Sequence, residues 1–495
     1  MQQKSRLKIL FISAEVSPYA KVGGLADVAG SLPKALASMG NDVRIAMPRY
    51  KKIAAGMSYA ADFPVQMDYK NETCIVREIV NAPVTTFIID NYHYFGRHGV
   101  YGHNDDNERF ALFCAAVYEM ILRFDFMPDI VHLNDWHTAP VAMLLRENER
   151  EHSELSEISI VYTIHNLEYQ GISSRSVFNL FGVKDVVFKV DRVEYYGCFN
   201  PMKAGINYAD IINAVSKTSA KEMLTPKFGF GLEGVLKNRE SAIRGVLNGI
   251  SQNKWNPQTD KKIYFNYSKD DLEGKKKNKK ELQKELGLNE SDAPLFSVVS
   301  RLVPNKGLDL MEPAFEYILK NNNQLVLLGS GEKFYEKMFA ELTEKYPGLV
   351  SVNLEFNEEK ARKIYAGSDV FLMPSRYEPC GLSQLIAMRY GAVPVVHKTG
   401  GLADTVIDEA SNKGSGTGFV FSKYSKDSFI RAIRKAINQY NDRDSWRQLV
   451  KRAMAKEYSW ENSASEYLSI YREAKVMNSK RKSEGRTLFE KKRKS

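Results

Sequence analysis

Two glycine-containing segments with nearly the same letters stand far apart in the chain: KVGGLADV at 21–28 and KTGGLADTV at 398–406. Each follows an apolar run and leads into a helical pattern. In doubly wound α/β sheets, ligands bind outside the carboxyl ends of the strands. Glycines there allow the backbone to approach a ligand closely, and helix N-termini attract anions. The pair therefore predicts two loops that approach one anionic ligand, with two ordinary tight turns as the alternative.

Cations and a carboxylate follow two later apolar runs. Arg301 and Lys306 flank a turn that contains Pro304 and leads to a helix, so two positive charges can face a diphosphate. Glu378 stands just before a helix that starts near Gly381. The carboxylate either complements that helix dipole or stands beside the bound diphosphate, and the loop cations could also be merely solvated.

Aromatic and polar residues follow two runs in the first half. Asp135, Trp136 and His137 come after DIVHL, and His165 with Asn166 comes after ISIVYTI. A single histidine is more often structural than functional. The combination of an aromatic ring with amide and carboxylate groups nevertheless suits a sugar, which offers a ring face and hydroxyl groups.

The alternation of apolar strands with helical patterns predicts the fold class. Strand-like runs lie at 8–13, 42–48, 129–133, 158–164 and 211–215, and again at 295–302, 324–329, 349–354, 369–375, 393–397 and 417–422. Helical stretches fill the gaps of the second series, and residues 57–92 resemble an antiparallel insertion. The sequence thus predicts an α/β protein with two Rossmann-like, doubly wound domains, separated by the polar, lysine-rich stretch 251–290.

The composition limits which kinds of partner the protein can have. No apolar run reaches the ~18 residues of a membrane span, and the four cysteines show no CxxC spacing, so we expect a reduced, cytoplasmic protein without membrane contact or structural zinc. Residues 475–495 hold nine Lys or Arg and two Glu, which supply seven of the ten net positive charges. We therefore expect a basic tail and no nucleic-acid partner. GxGxxG after a first strand, GxxxxGK[ST], HExxH and GxSxG are all missing.

A longer series of motifs resembles a known family. KVGGLADV, DWH, YTIHNLEYQG, GFGLEGVL, VSRLVPNKGLDL, SRYEPCGLSQ and TGGLADTV follow in the order found in bacterial glycogen synthases and plant starch synthases, from about residue 8 to 470. The resemblance implies a GT-B architecture, with two Rossmann-like domains around a deep cleft and a C-terminal helix that crosses back. It also implies transfer of glucose from ADP-glucose to the non-reducing end of an α-1,4-glucan such as glycogen, with retention of configuration and with no cofactor or metal.

The implied domain boundaries follow from the same comparison. We expect an N-terminal domain at 1–250, a nucleotide-sugar domain at 251–458, a crossing helix at 459–478 and a disordered basic tail at 479–495.

The resemblance also implies roles for single residues. The catalytic group would be Glu378, Lys21, His165, Arg301 and Lys306. Donor and nucleotide contacts would come from Lys21, Gly23, Gly24, Asn248, Lys279, Arg301, Lys306, Phe356, Gly381, Leu382, Ser383, Thr399, Gly400, Gly401 and Leu402. Acceptor contacts would come from Asp135, Trp136 and Asn166.

Two positions depart from the wider pattern, and two rival functions stay open. A second glutamate, common in retaining GT-B enzymes, is Ile386 here, and the usual NGID reads Asn248-Gly-Ile-Ser251. One rival is a sucrose synthase-like or phosphorylase-like transferase. The other is a catalytically silent glucan-binding protein, against which Lys21, Arg301, Lys306 and Glu378 argue.

Overall fold

The computed structural model describes the backbone of residues 6–494 and the side chains of residues 6–484. The chain divides into two compact units. Unit 1 comprises Met1–Leu247 together with Trp460–Ser495, and unit 2 comprises Asn248–Ser459. Each unit has its own hydrophobic core.

Unit 1 is built on a largely parallel sheet. Its strands are β1 (Lys8–Ile12), β2 (Asp42–Pro48), β3 (Met57–Met67), β4 (Lys70–Ile79), β5 (Thr85–Asp90), β6 (Ile130–Asn134), β7 (Ser159–Ile164), a small hairpin of β8 (Glu194–Tyr195) and β9 (Cys198–Phe199), β10 (Ile211–Ala214) and β11 (Ile243–Gly245). The main sheet has the order β11-β10-β7-β6-β1-β2-β5-β4-β3. Only β3/β4 and β4/β5 pair antiparallel among its described strands, which confirms the predicted insertion.

Helices cover this sheet. They are α1 (Gly24–Ser38), α2 (Tyr92–Phe95), α3 (Asp106–Arg123), α4 (Pro140–Glu147), α5 (Arg175–Asn179), α6 (Pro201–Tyr208), α7 (Lys217–Glu222) and α8 (Glu233–Lys237). Strands β6 and β7 are buried at every position, as expected of parallel strands covered on both faces.

Unit 2 repeats the plan with an all-parallel sheet. Its strands are β12 (Leu295–Val299), β13 (Gln324–Leu328), β14 (Val350–Asn353), β15 (Val370–Met373), β16 (Val393–His397) and β17 (Phe419–Phe421), in the order β14-β13-β12-β15-β16-β17. Its helices are α9 (Glu273–Glu285), α10 (Leu308–Lys320), α11 (Lys333–Lys345), α12 (Glu358–Gly367), α13 (Ser383–Arg389), α14 (Gly400–Thr405), α15 (Lys426–Asn441) and α16 (Arg443–Met454). The two sheets confirm the predicted doubly wound α/β class.

The last helix, α17 (Trp460–Lys494), packs into unit 1. Tyr467 and Tyr471 on this helix are fully buried. The Tyr471 hydroxyl lies 2.7 Å from Nδ1 of His132 on β6, and Asn213 Nδ2 on β10 donates to the Tyr467 hydroxyl at 2.9 Å. The helix therefore joins the sheet through buried polar contacts as well as apolar packing.

The prediction of a disordered tail from residue 479 is wrong where the structure describes it. Helix α17 continues without a break, and the Arg481 guanidinium donates two hydrogen bonds to the Glu149 carboxylate, at 2.9 and 2.6 Å. Lys482 pairs with Glu157. A charge count within the tail misses these partners because the acidic segment 147–157 lies more than 300 residues earlier. Side chains beyond Glu484 lie outside the described residues.

Within residues 6–494, no helix combines the length and the hydropathy needed to cross a membrane.

Candidate active site

A buried carboxylate shapes the first glycine loop. Glu15 Oε2 accepts hydrogen bonds from the backbone N–H groups of Val22 (2.5 Å) and Gly23 (2.9 Å). The Tyr101 hydroxyl donates to Oε1 at 2.7 Å. Because a buried carboxylate is costly unless hydrogen-bonded, these bonds hold the loop in one conformation at the carboxyl end of β1.

The loop that Glu15 holds is open on its outer side. Gly23 precedes α1 and Gly24 is the first residue of that helix. A Cβ added to Gly23 would meet no described atom within 4 Å, which leaves room for a ligand against the backbone. The Lys21 ammonium is held by both oxygens of Asp27, at 2.7 and 2.8 Å, so a phosphate bound to Lys21 would share the ammonium with Asp27 or displace it.

Asp135 organises the neighbouring edge of the sheet. It follows β6 with a left-handed backbone (φ 56°), and its carboxylate accepts hydrogen bonds from the backbone N–H groups of His165 (2.7 Å) and Asn166 (3.3 Å). Burial raises the pKa of Asp135 to about 7; the two N–H groups oppose this rise and the nearby Glu15 adds to it. Asp135 therefore links the turns after β6 and β7.

The His165 ring is neutral at pH 7, because burial lowers its pKa to about 3. Its Nε2 lies 2.9 Å from Oδ1 of Asn134, whose Nδ2 donates to the Ile12 carbonyl at 2.9 Å. That amide orientation makes Nε2 the donor and leaves Nδ1 as an acceptor, suitable for a sugar hydroxyl.

Two predicted acceptor residues support the loops of this edge. The Trp136 indole packs against Gly171, where an added Cβ would lie only 2.2 Å from the ring, so glycine is required there. Oδ1 of Asn166 accepts a hydrogen bond from the Glu168 N–H at 3.0 Å. The structure thus brings Asp135, Trp136, His165 and Asn166 together at one edge of the unit 1 sheet, as the sequence predicts.

In unit 2, the loop after β12 carries Arg301 and Lys306. Gly307 has a positive φ of 74°, and a Cβ there would lie 2.2 Å from the Pro374 carbonyl oxygen. The loop consequently packs tightly on the turn after β15. In the part of the chain that the structure describes, the exposed Arg301 guanidinium has no hydrogen-bond or ion-pair partner.

Lys306 and Glu378 form a largely buried ion pair. The Lys306 ammonium lies 2.5 Å from Oε2 of Glu378, and the Ser375 hydroxyl donates to the same oxygen at 3.0 Å. The two charged side chains are only 17% and 11% exposed. A carboxylate and a cation fixed side by side can stabilise opposite charges on two parts of one reacting molecule.

The second glycine segment has a different environment from the first. A Cβ on Gly400 would lie 2.1 Å from the Glu378 carbonyl oxygen, and one on Gly401 would lie 2.2 Å from the Cys380 carbonyl oxygen. The Gly401 N–H donates to Glu378 O at 3.2 Å. These glycines, between Thr399 and Leu402, allow the loop to seat against the turn that carries Glu378.

Further predicted nucleotide-side residues lie around this turn. Gly381 has φ 73°, Leu382 is the N-cap of α13 and Ser383 is its first residue. Asn248 is buried, and its side-chain oxygen has no hydrogen-bond partner among the described atoms. The backbone of Asn248 hydrogen-bonds the Cys380 thiol. Phe356 follows β14 and is 84% exposed, so its ring is available for stacking.

The structure does not bring the predicted donor residue Lys279 next to Glu378. Its ammonium lies 2.7 Å from Asp369 Oδ2, 2.5 Å from the Ala293 carbonyl and 3.0 Å from the Tyr440 hydroxyl. Asp369 precedes β15, whereas Glu378 follows it, so Lys279 lies at the amino-end edge of the sheet. A lysine with three local oxygen partners there supports the packing of α9.

Sequence reasoning missed Glu15 and Ser375. Both follow buried strands at the carboxyl edges of their sheets, which is the position that drew attention to Asp135 and Glu378. Glu15 follows the first strand-like run, but it stands alone between Ala14 and Val16, with no other polar residue beside it to indicate a site. Among the described residues, no group of three or more His, Cys, Asp or Glu side chains is arranged to hold a metal ion.

Family models match both units. The starch synthase catalytic domain matches residues 8–238, and the group 1 glycosyl transferases match residues 278–453. A glycogen synthase from Desulforudis audaxviator is 45% identical over 483 residues, covering 94% of this chain and 96% of that protein. A glycogen synthase from Moorella thermoacetica is also 45% identical, over 94% of this chain and 97% of its own length.

Solved structures agree. The catalytic domain of starch synthase IV from Arabidopsis thaliana, bound to ADP and acarbose, superposes with a TM-score of 0.90 at 35% identity, covering 95% of this chain and all of that one. Sucrose-phosphate synthase from Thermosynechococcus elongatus gives a TM-score of 0.60 at 18% identity, over 94% of this chain and 98% of its own; this likeness shows the fold alone.

Proposed function

The chain belongs to the family of glycogen synthases and starch synthases, and from that premise we propose that it transfers glucose from ADP-glucose to the non-reducing end of an α-1,4-glucan with retention of configuration. The motif resemblance to this family is confirmed by relatives 45% identical over nearly the whole chain. We further propose that the protein works in the cytoplasm, with ADP-glucose and glycogen or a similar glucan as its partners.

The observation that carries the proposal is the Lys306–Glu378 pair, together with Arg301, which lies on the same loop as Lys306 and has no partner among the described residues. Breaking a glycosyl–phosphate bond leaves negative charge on the diphosphate and positive character on the sugar. Arg301 and Lys306 would bind the distal phosphate and stabilise the leaving group. Glu378 would stabilise the positive sugar, since its carboxylate is fixed by Lys306 and Ser375.

The donor base is proposed to be adenine. The starch synthase IV catalytic domain at 35% identity was solved with ADP, which favours an adenine nucleotide here too. The exposed ring of Phe356 can stack on the base, although stacking alone accepts any base. Gly381, Leu382, Ser383 and the 399–402 loop would supply backbone contacts to the nucleotide, and Asn248 would contact the donor sugar.

Unit 1 is proposed to contribute Lys21, Gly23 and Gly24 to the donor diphosphate and sugar. His165 would accept a hydrogen bond from a donor-sugar hydroxyl through its free Nδ1. Asp135, Trp136 and Asn166 would lie on the acceptor side. The backbone bonds from His165 and Asn166 to Asp135 support this grouping, because one carboxylate positions both turns.

We propose same-face attack for the transfer step. Paired carboxylates about 5 Å apart are typical of double displacement in retaining hydrolases. Glu378 is the one obvious carboxylate that the motifs assign to the reaction. The leaving phosphate would then accept the proton of the attacking hydroxyl while that hydroxyl bonds to the anomeric carbon.

The test is transfer of labelled glucose to glycogen. We expect incorporation from ADP-glucose to exceed that from UDP-glucose, with none from glucose 1-phosphate in place of the nucleotide sugar. Digestion of the labelled product by an α-1,4-specific amylase should release all the label. Incorporation from glucose 1-phosphate alone would instead indicate a phosphorylase-like enzyme, and binding of glycogen without transfer would indicate a silent glucan-binding protein.

A further inference from the structure

His397, the last residue of β16, is a buried polar side chain to which the sequence motifs assign no role. Its imidazole is only 4% exposed and packs against the rings of Phe421 on β17 and Tyr424, whose centroids are 5.3 and 5.2 Å away. Tyr424 is itself fixed, because its hydroxyl donates to Oδ1 of Asp309 at 2.6 Å. The imidazole is therefore held in one orientation.

The Nδ1 atom of this imidazole holds the end of the neighbouring strand. Strands β15 and β16 pair in parallel as far as Met373 and Val396. Pro374 follows Met373 and has no N–H group with which to extend the pairing. The backbone carbonyl of Ser375, one residue further on, lies 2.9 Å from Nδ1 of His397. Because a carbonyl oxygen only accepts, Nδ1 carries the proton and donates it.

Ser375 connects this contact to the carboxylate of the candidate site. Ser375 is completely buried, and its hydroxyl donates at 3.0 Å to Oε2 of Glu378, the oxygen that also pairs with Lys306. A shift of about 0.5 Å in the position of Ser375 would bring the two oxygens to the limit of hydrogen bonding. By fixing the Ser375 carbonyl, His397 therefore controls where the Ser375 hydroxyl stands.

The rest of this turn is attached through backbone hydrogen bonds at other points. The Arg376 N–H donates to the Asn305 carbonyl at 2.9 Å, and the Gly401 N–H donates to the Glu378 carbonyl at 3.2 Å. Neither bond fixes the carbonyl or the hydroxyl of Ser375. Loss of the imidazole contact would therefore loosen Ser375 without detaching the whole turn.

We propose that His397 is a positioning residue for glucose transfer: through Ser375 it holds the Glu378 carboxylate in the orientation in which it stabilises the positive sugar. This proposal rests on the proposed function, because it needs Glu378 to act in the transfer. A group that stabilises the transition state must be oriented before the reaction begins. The contribution of His397 therefore falls on kcat and not on ADP binding.

The test uses substitutions in the full-length protein that differ in where they place a hydrogen-bond donor. The amide nitrogen of asparagine is bonded to Cγ, as Nδ1 is, so His397→Asn keeps a donor near the Ser375 carbonyl. Glutamine carries its amide one bond further out, so His397→Gln loses that donor. Ser375→Ala removes the hydroxyl, and His397→Gln/Ser375→Ala tests whether the two residues act in series. Gln324→Leu is the control, because Gln324 is a buried amide at the amino end of the same sheet, where its Nε2 donates to the Asn289 carbonyl at 2.6 Å.

We expect His397→Gln and Ser375→Ala each to lower kcat about tenfold and to leave the Kd for ADP within about twofold of the parent. His397→Asn and Gln324→Leu should keep kcat within about threefold. The double variant should lose no more than Ser375→Ala alone, because His397 acts through the Ser375 hydroxyl. An unchanged kcat in either single variant, equal losses in His397→Asn and His397→Gln, a loss of about a hundredfold in the double variant, or an ADP affinity that falls as much as kcat overturns the proposal.

Amide hydrogen exchange separates this proposal from the proposed function. The Arg376 N–H, bonded to the Asn305 carbonyl, reports on the order of the turn at 375–381. We expect exchange in this segment to be faster in His397→Gln than in the parent, and unchanged in His397→Asn and Gln324→Leu. Equal exchange in all proteins overturns the positioning role. Faster exchange in His397→Gln alone, from a parent that transfers glucose to no glucan, supports the positioning of Glu378 and overturns the proposed function.

Discussion

At the scale of single residues, the candidate site consists of charges that differ in how firmly they are held. Glu378 is fixed by a lysine and a hydroxyl, Lys21 is occupied by Asp27, and Arg301 has no partner among the described residues. These differences separate residues that bind the ground state from residues that act later in the reaction.

We predict that Glu378→Gln keeps ADP affinity within about threefold and lowers kcat by roughly 10²-fold or more, as expected for loss of an electrostatic partner of the transition state. Initial rates and calorimetric ADP titrations measure both. Glu409→Gln is the matched control, since Glu409 is also a buried carboxylate of unit 2, paired with Arg452 at 2.8 Å. A kcat within tenfold of the parent would show that Glu378 only complements the dipole of the helix that follows it.

We predict that Arg301→Ala and Lys21→Ala separate binding from turnover. Arg301 is free to meet a phosphate, so its loss should weaken ADP binding by roughly 1.5–3 kcal/mol, the worth of a charge-assisted hydrogen bond. Lys21 is already paired with Asp27, which weakens its attraction for a phosphate in the ground state, so Lys21→Ala should reduce kcat more than ADP affinity. Equal losses of ADP affinity would mean that the two cations act alike, whatever their surroundings.

At the scale of elements, the strands and the helices of the second series could be predicted from apolar runs and their spacing. Helix α9 could not, because its sequence GKKKNKKELQK reads as a solvated linker. In the structure Lys275 is buried, and its ammonium donates to the carbonyls of Ala366 (3.1 Å), Ser368 (2.8 Å) and Tyr390 (2.9 Å) at the ends of α12 and α13. Oxygen partners contributed by distant helices cannot be seen in a local pattern.

The position of Lys279 shows the same limit for the site. The motif NKKELQ contains Lys279, but the motif does not show where the partner of Lys279 lies. Only the fold shows that this partner, Asp369, stands at the opposite end of β15 from Glu378. Glu15, by contrast, belongs to the candidate site although no motif indicates it. Its two backbone partners are seven and eight residues away and the Tyr101 hydroxyl is 86 residues away, so the contacts that fix it appear only in the fold.

We predict that Lys279→Met destabilises unit 2 by about 3 kcal/mol, the cost of breaking a largely buried ion pair, without changing ADP affinity. Urea unfolding and ADP titration measure the two effects. Lys276→Met on the same helix is the control, because Lys276 is exposed and pairs with the exposed Glu273. A tenfold loss of ADP affinity at unchanged stability would return Lys279 to the donor site.

We predict that Tyr471→Phe destabilises unit 1 by about 1–3 kcal/mol, because the buried His132 Nδ1 loses its hydrogen-bond partner. Tyr196→Phe, at an 89% exposed tyrosine of the same unit, should stay within about 0.5 kcal/mol of the parent. If the two variants have the same urea midpoint, the Tyr471–His132 hydrogen bond does not contribute to the stability of unit 1.

At the scale of the whole molecule, the two units have separate cores and different sets of buried histidines. Unit 1 buries His132 and His137 and partly buries His165. Desolvation lowers the pKa of each: to about 3 for His137 and His165, and well below 6.5 for His132. The two units should therefore respond differently to acid.

The direction of the pH effect follows from the number of protons that the folded and unfolded states bind. Between about pH 6.5 and 4 the unfolded chain protonates these three histidines while folded unit 1 does not, so the stability of unit 1 falls as the pH falls. Asp135 acts in the opposite direction, because its raised pKa of about 7 gives the folded state an extra proton in this window. Burial also raises the pKa of Asp210, which acts in the same direction as Asp135. Three histidines against two carboxyls leave the sign unchanged, so acid lowers the stability of unit 1.

We predict that unit 1 unfolds before unit 2 as the pH is lowered from 7 to 5. Trp136 and Trp460 report on unit 1, and Trp255 and Trp446 report on unit 2, so pairs of Trp→Phe substitutions give a fluorescence signal from one unit at a time. Urea midpoints at each pH should fall steeply for the unit 1 signal and little for the unit 2 signal. His137→Phe should reduce the pH slope of unit 1 by one proton, since its ring has no hydrogen bond at Nδ1 to lose. Parallel acid profiles for the two signals would contradict this prediction, because acid would then unfold the two units together.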